Sequence, residues 1–388
     1  MQALLTVGPE DMPGRPIRTA PWRGVRAPLP IVRRAAPAEC TSPEQGARPG
    51  RMMSCDTLSN LLRAVRLQGA VFYHVEGVAP WVAYTPPAAE IIPAIMPGTG
   101  HMMEFHAVVE GSCWAAIAGE PATRMEAGDV ILFPQGDAHI MSSAPGMRAP
   151  IESKDLYYEP RPRQLPHALH LNSAEAISNR GDRTEGGDAT LICGFLGLDA
   201  RPFNPLIASL PRVLRVSGES LGADSWVISF MRAVVRESEL KQPGGEAVLE
   251  RMSEMLFVEV LRRHVDSLPE GQTGWLAGMR DPVVGRALSL IHEKPSDAWT
   301  VERLCEGAGL SRSSLHERFV QLIGQPPMQY LTQWRMQLAS GLLRDTNAKV
   351  LEVAQGVGYE SEAAFSRAFK RVAGQAPGMW RRARRSDA

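Results

Sequence analysis

Hydrophobic positions toward the C-terminal end recur at helical spacing, and the pattern occurs twice. From Gly309 to Tyr330 the chain reads GLSRSSLHERFVQLIGQPPMQY, and from Gly358 to Trp380 it reads GYESEAAFSRAFKRVAGQAPGMW. Ser311, Leu315, Phe319, Leu322, Gly324, Pro327 and Tyr330 return as Ser361, Phe365, Phe369, Val372, Gly374, Pro377 and Trp380. Such a repeat marks a duplicated structural unit. In the first copy Thr300 caps a helix over 301–308, Gly309 makes the turn, and Ser311 caps a second helix from Arg312 to about Ile323. In the second copy the helices fall at 351–355 and 362–372, with Gly358-Tyr359 as the turn and Ser361 as the cap.

The two second helices share a layout. Leu315, Phe319 and Leu322 fall on one face, and Arg312, Ser313, His316, Glu317 and Val320 on the other. Their counterparts are Phe365, Phe369 and Val372 inside, and Glu362, Ala363, Ser366, Arg367 and Lys370 outside. A single polar stripe is an ordinary solvated face. Two capped copies opposite the same apolar triad predict a pair of groove-reading helix-turn-helix units. A helix from Pro327 to about Leu343 joins them. At about 1.5 Å per residue it is roughly 25 Å long. That length fits reading helices about one DNA turn, roughly 34 Å, apart. Arg335 on this helix is a candidate phosphate contact, and the tail Trp380-Arg-Arg-Ala-Arg-Arg adds non-specific attraction.

Earlier in the chain the period changes. Asp56 caps a helix with Leu58, Leu61, Leu62 and Val65 on one face. Short strand-like segments follow at Ala70–Val75, Phe105–Val109, Cys113–Ile117, Asp129–Phe133 and His139–Ser142, separated by Gly and Pro turns. This spacing predicts an antiparallel barrel or jelly roll. Leu191–Leu198 is a further apolar run, and helices are expected over 225–240 and 246–265. The second is apolar at Val248, Leu249, Met252, Leu256, Val260 and Leu261, widened by Met255, Phe257 and Val258. A stripe that wide calls for cover on more than one side, by the barrel and by a second subunit. The fold class expected is therefore α+β: an N-terminal antiparallel β-barrel with flanking helices, then an all-α domain of two helix-turn-helix units.

Charge is balanced overall, at 42 Lys+Arg against 42 Asp+Glu, but unevenly placed. From Arg280 onward there are 16 basic and 11 acidic residues, against 26 and 31 before it. A basic end points to a polyanionic partner. Cys40, Cys55, Cys113, Cys193 and Cys305 are widely spaced with no C-x-x-C, which fits a reducing compartment. No apolar run reaches the length of a membrane span, so no membrane partner and a cytoplasmic location are expected. Residues 1–50 hold nine prolines and seven arginines without periodicity. The expectation is a disordered extension over 1–52, or else upstream sequence translated in error, with Met52 or Met53 as the real start. The expected domains are then 53–265, a linker at 266–281, and 282–388.

Two stretches carry a family resemblance. Gly128-Asp-Val-Ile-Leu-Phe-Pro134-Gln-Gly136-Asp-Ala-His139 resembles the second motif of cupins, and Glu104-Phe-His106-Ala-Val-Val-Glu110-Gly-Ser-Cys-Trp114 a degenerate first motif. Metal-binding cupins have a His-x-His before the Glu of the first motif; here that pair is missing. His101, Glu104, His106 and His139 are the only candidate ligands, and their spacing fits a metal poorly. No metal and no cofactor is expected. His106, Trp114 and His139 are taken as residues of an organic effector pocket, with structural histidines as the plain alternative.

Residues 282–383 resemble the DNA-binding domain of AraC/XylS-family transcription regulators, most closely in GYESEAAFSRAFKRVAGQAP. Residues 56–265 resemble the cupin-type sensor of one branch of that family, through DTLSNLLRAVRLQGAVF, FHAVVEGSCW, AGDVILFPQGDAH and LPRVLRV. The resemblance implies a one-component regulator rather than an enzyme. Its partners would be double-stranded promoter DNA, a small-molecule effector, a second copy of itself and RNA polymerase. The DNA-binding candidates are Arg312, Ser313, His316, Glu317, Arg335, Ser361, Glu362, Ala363, Ser366, Arg367 and Lys370. The family carries L-x-R-x-F in both reading helices. The second copy keeps the Arg as Arg367, whereas the first has Glu317, so either that helix reads a different base, the Glu accepting from a cytosine amino group, or Arg318 substitutes in part. Alternatives are a metal-dependent cupin enzyme fused to a DNA-binding tail, and a redox sensor acting through Cys113 or Cys305.

Overall fold

A computed structural model describes residues 56–149, 167–172, 188–221, 226–240 and 242–386. The expected extension over 1–52 lies outside the described residues. Helix α1 (Thr57–Ala64) opens the ordered chain, and Asp56 caps it by accepting from the Ser59 amide at 3.0 Å. Strands β1 (Gln68–Gly77), β2 (Val82–Thr85), β3 (His101–Ile117), β4 (Thr123–Glu126), β5 (Val130–Phe133), β6 (His139–Ser142), β7 (His167–Leu171), β8 (Ala189–Leu198) and β9 (Leu214–Val216) follow. Helix α2 (Ala88–Ile95) interrupts them, and the short helices α3 (Pro205–Ser209) and α4 (Gly218–Leu221) flank β9. Two long helices, α5 (Trp226–Leu240) and α6 (Gly245–Ser267), complete this region.

Strand β3 organises the sheet. Its first half pairs with β8 and β5, and its second half with β6 and β4. One strand thus occupies the place of the two expected at Phe105–Val109 and Cys113–Ile117. The strand bends where the register with β8 shifts between Val108 and Glu110, next to Gly111 at φ +75°. A side chain at Gly111 would collide with the Asp188 carbonyl, so glycine is required there. The order runs β2-β6-β3-β8-β1-β7, with β4, β5 and β9 branching through β3. Every pairing is antiparallel except β1 with β7, so the sheet is a curled, mixed half-barrel.

The bend reverses which residues face inward. Met102 and Val108 lie in the interior cluster before it, and Cys113, Ala115 and Ile117 after it. Met103, Phe105 and Ala107 face outward into a second core beneath α1, α5 and α6. There α6 buries Leu249, Leu256, Phe257, Val260 and Leu261, and leaves Val248 and Met255 more than half exposed.

The remaining chain is helical: α7 (Trp275–Arg280), α8 (Val284–Glu293), α9 (Val301–Ala308), α10 (Arg312–Ile323), α11 (Pro327–Asp345), α12 (Val350–Gly356), α13 (Glu362–Ala373) and α14 (Pro377–Ser386). Helix α8 starts at Val284, where the Asp281 carboxylate accepts from the Val283 and Val284 amides and sets the first turn. Leu304, Leu315, Phe319, Tyr330 and Trp334 belong to the same continuous core as Phe105 and Leu132 of the sheet. Met336, Leu343, Val353, Phe365, Phe369 and Trp380 form a separate core. Helix α11 spans both. No described helix is long and apolar enough to cross a membrane.

Candidate nucleic-acid interface and barrel site

Each candidate reading helix is built by the same local chemistry. Ser311 Oγ accepts from the Ser314 amide at 3.3 Å and Ser361 Oγ from the Ala364 amide at 3.1 Å. At the other ends Gly324 and Gly374 adopt φ of +80° and +79°, closing the helices where a side chain would be strained. Leu315, Phe319, Phe365 and Phe369 are fully buried, which turns the opposite stripes outward. Arg312, Ser313, His316 and Glu317 are exposed on α10; Ser361, Glu362, Ala363, Arg367 and Lys370 are exposed on α13, and Ser366 is half-buried.

The two stripes differ electrostatically. On α10, Arg312 pairs with Glu302 at 3.2 Å, and Arg318 is bound bifurcately by Asp281 at 2.6 and 2.9 Å. On α13, Arg367 and Lys370 enter no ion pair among the described residues and stay available to an external anion. The expectation that Arg335 contacts phosphate needs correction. Its guanidinium donates to the carbonyls of Pro295 and Asp297, both at 2.7 Å, and of Gly358 at 3.4 Å. That side chain ties the α8–α9 loop to the turn of the second unit.

Helix α11 is also held by the sheet region. Gln337, buried, donates to the Ala64 carbonyl at 3.2 Å and accepts from the Phe203 amide at 3.1 Å. Arg344 donates to Asp199 at 2.6 Å with both side chains little exposed. Thr57 and Ser289 hydroxyls meet at 3.1 Å, joining α1 to α8. Nothing in the sequence pattern marked these residues, because polar groups on a long helix look like solvated ones until a partner surface covers them.

Inside the half-barrel, Glu104, His106 and His139 converge, all buried. Glu104 and His106 sit two apart on β3 and so share a face, and His139 opens β6. Their spacing in sequence looked wrong for a cluster, but β5 and β6 fold back on β3 and bring the three together. His101 is elsewhere, its Nε2 bonded to the Pro134 carbonyl at 2.7 Å. Trp114 is half-buried on the face opposite Cys113 and Ala115, so the bend in β3 separates it from His106 and His139. Of the three residues expected to share a pocket, the fold brings His106 and His139 together, beside Glu104 and Cys193, and leaves Trp114 apart from them.

The tautomers follow from the partners. His139 Nδ1 lies 2.9 Å from the Asp137 carbonyl, which only accepts, so that nitrogen carries the hydrogen and Nε2 is bare. His106 Nε2, 2.8 Å away, then donates to His139 Nε2. His106 Nδ1 is left to accept from the Cys193 thiol at 2.8 Å. Burial favours these neutral forms. It lowers His106 well below the usual imidazole range, helped by His139, takes His139 down to about 4, and raises Glu104 and Cys193 well above their usual values. Cys113 is pushed by burial to about 12 and Cys305 upward, neither the environment of a reactive thiolate.

Comparison with known proteins agrees with both halves. A cupin family model matches residues 56–266 and a helix-turn-helix domain model matches residues 304–383. An AraC-like transcription regulator of Streptomyces lividans is 33% identical over 285 residues, 72% of this chain and 87% of that protein. The transcriptional regulator AlkR of Acinetobacter baylyi is 27% identical over 328 residues, 84% of this chain and 99% of that one. Among solved structures, the DNA-binding domain of AdpA in complex with a target DNA is 32% identical, covering 27% of this chain and 95% of that chain, with a TM-score of 0.26. With a cupin-type half-barrel followed by two capped helix-turn-helix units, and with relatives of this similarity and coverage, the chain belongs to the AraC family of DNA-binding transcription regulators.

Proposed function

We propose that the C-terminal region enters two successive major grooves of promoter DNA, with α10 and α13 as the reading helices. The cupin region would sense a small-molecule effector and adjust that binding. The observation that carries this reading is the pair of serine-capped helices, each with an exposed polar stripe opposite a fully buried apolar pair. On α13 the readers are Glu362, Ala363, Ser366, Arg367 and Lys370, with Ser361 at the cap; on α10 they are Arg312, Ser313, His316 and Glu317. The protein acts as a cytoplasmic regulator and not as an enzyme, in keeping with relatives that are named as regulators. The exposed Val248 and Met255 on α6 supply the apolar contact of a homodimer, and RNA polymerase is the further partner.

The route from sensor to DNA runs through α11. Gln337 and Arg344 hold it to the sheet region, and the same helix carries both reading units. An effector that shifts the Asp199 or Phe203 backbone changes the seating of α11.

The test is selection of bound sequences from a random duplex pool by the full-length protein. The expected result is a bipartite site whose halves are centred about one helical turn apart. Inserting half a turn between the halves should abolish binding. A single compact site indifferent to that insertion would sink the two-groove reading.

A further inference from the structure

The duplicated units bury separate apolar cores, so shared burial does not set how one is turned relative to the other. Helix α11 joins them, and helices of its length, 19 residues, are rarely straight. Arg335 stands near the midpoint of α11, half-buried, and its guanidinium reaches both units at once. Nε donates to the Pro295 carbonyl and Nη2 to the Asp297 carbonyl, both at 2.7 Å, in the loop that leads to α9. Nη1 donates to the Gly358 carbonyl at 3.4 Å, in the turn before α13. We propose that Arg335 is a positioning residue that fixes the separation and relative angle of α10 and α13, and with them the half-site spacing that the protein accepts. This inference rests on the two-groove reading above.

The contacts of Arg335 continue into both reading helices. In the second unit its guanidinium carbon lies 5.8 Å from the centroid of the Tyr359 ring, within the range of a cation–π contact. The Tyr359 hydroxyl hydrogen-bonds Thr332, one turn earlier on α11. The same ring packs edge-on against Phe365, at 5.7 Å and 69°, and Phe365 is a fully buried anchor of α13. In the first unit the Asp297 carbonyl also accepts from the Trp299 amide at 2.7 Å. The next residue, Thr300, caps α9 by accepting from the Arg303 amide at 3.2 Å, and α9 packs on α10.

The backbones of the two units also meet at this point. Gly358 has φ +83°, and a Cβ there would stand 2.5 Å from the Ser296 carbonyl oxygen and 2.9 Å from Arg335 Nη2. The turn of the second unit therefore lies directly against the α8–α9 loop of the first. Arg335 enters no ion pair among the described residues, and its donors are committed to backbone carbonyls. Carbonyls in two separate segments require donors that diverge from a rigid plane. A guanidinium has that shape, whereas a lysine ammonium is a point charge on a flexible stem.

The consequence concerns geometry rather than base identity. One added base pair moves a half-site by about 3.4 Å and turns it by about 35°. A pair of helices locked at the middle of α11 rejects that change. A pair joined only by α11 follows it by bending or twisting the helix.

The test measures binding of full-length protein to duplexes carrying its selected bipartite site, at the selected spacing and with one base pair added or removed between the halves. Wild type is expected to lose at least tenfold in affinity for either change. Arg335→Met keeps an unbranched apolar stem beside Tyr359 and removes every donor. It should lose less than threefold for the same changes, while single-base substitutions within each half cost it what they cost wild type. Arg335→Lys should fall between the two. Thermal melting shows whether each variant folds, and Arg335→Lys carries the test if Arg335→Met does not. A wild type indifferent to spacing sinks the two-groove reading and this inference with it. A spacing-selective wild type matched by equally selective folded variants overturns the role of Arg335 alone. So does a folded variant that weakens at every spacing by the same factor, because that is a general structural loss.

Discussion

The two helix-turn-helix units have the same caps, turns and apolar positions, yet they are anchored differently. Leu304, Leu315 and Phe319 of the first unit share a core with the sheet, α1 and α8. The second unit closes around Val353, Phe365, Phe369 and Trp380, a core of its own. Their outer faces differ in the same sense: cations of the first are paired with Glu302 and Asp281, and those of the second enter no ion pair among the described residues. A duplicated sequence has thus produced one unit that shares its core with the sheet region and one with a core of its own.

The largest expected effects come from the two cores. Phe319→Ala and Phe369→Ala should each cost about 3–5 kcal/mol, the usual range for a buried phenylalanine. The first should lower the main unfolding transition seen by calorimetry. The second should raise hydrogen exchange in α12 to α14 and leave exchange in the sheet unchanged. Equal loss of protection in the sheet from both variants would break the division into two cores.

Next is the seating of α11. Asp199→Ala strips a little-exposed partner from Arg344, at a cost of about 3 kcal/mol, the low end for a broken buried pair because Asp345 still contacts the guanidinium. It should raise exchange in α11 and α1 and change the effector response of DNA binding. If it alters neither, α11 is not the coupling element.

The third is a dependence on pH. His292 lies in the first unit's core, stacked on Trp334 at 4.0 Å with Nε2 at 2.7 Å from the Tyr330 hydroxyl, and burial lowers it to about 3. The unfolded chain takes up this proton as pH falls below about 6.5, while the folded chain does not until about 3. Stability from this group is therefore full above about pH 6.5 and is lost on acidification, by about 2 kcal/mol at pH 5. The second core contains no histidine, so acid should loosen the first unit first, read by exchange at pH 7 and 5. His292→Gln should flatten the difference.

The smallest effect is on the outer faces. Arg367→Ala should cost roughly 1–3 kcal/mol of specific binding and relax one base position. Glu317→Gln should change which base is preferred with a smaller loss of affinity, measured on the selected site. Identical preferences in wild type and Glu317→Gln would make the first reader's acid irrelevant to specificity.

The helices of the C-terminal region were legible because caps and apolar spacing are local. Ser311, Ser361, Gly324 and Gly374 carry their geometry with them, and the helix bounds fall within about two residues of expectation. The sheet was legible as short strands but not in its connectivity. Two segments proved to be halves of β3, and its bend at Gly111 sent Trp114 to the outer face. A one-residue change of register reverses every side chain beyond it. Arg335 reads as an exposed cation on a helix, and only the carbonyls of Pro295, Asp297 and Gly358 around it show otherwise.

By itself, then, the sequence determined the family, the duplicated capped helices and the presence of a cupin-like region. Capping, turn formation and apolar periodicity act over a few residues, and they hold wherever the segment is placed. The tertiary structure alone decided that Glu104, His106, His139 and Cys193 meet, that α11 is bolted to the sheet region, and that the two units draw on different cores. These depend on contacts between residues far apart in the chain, whose energies come from shared burial, which no local pattern records.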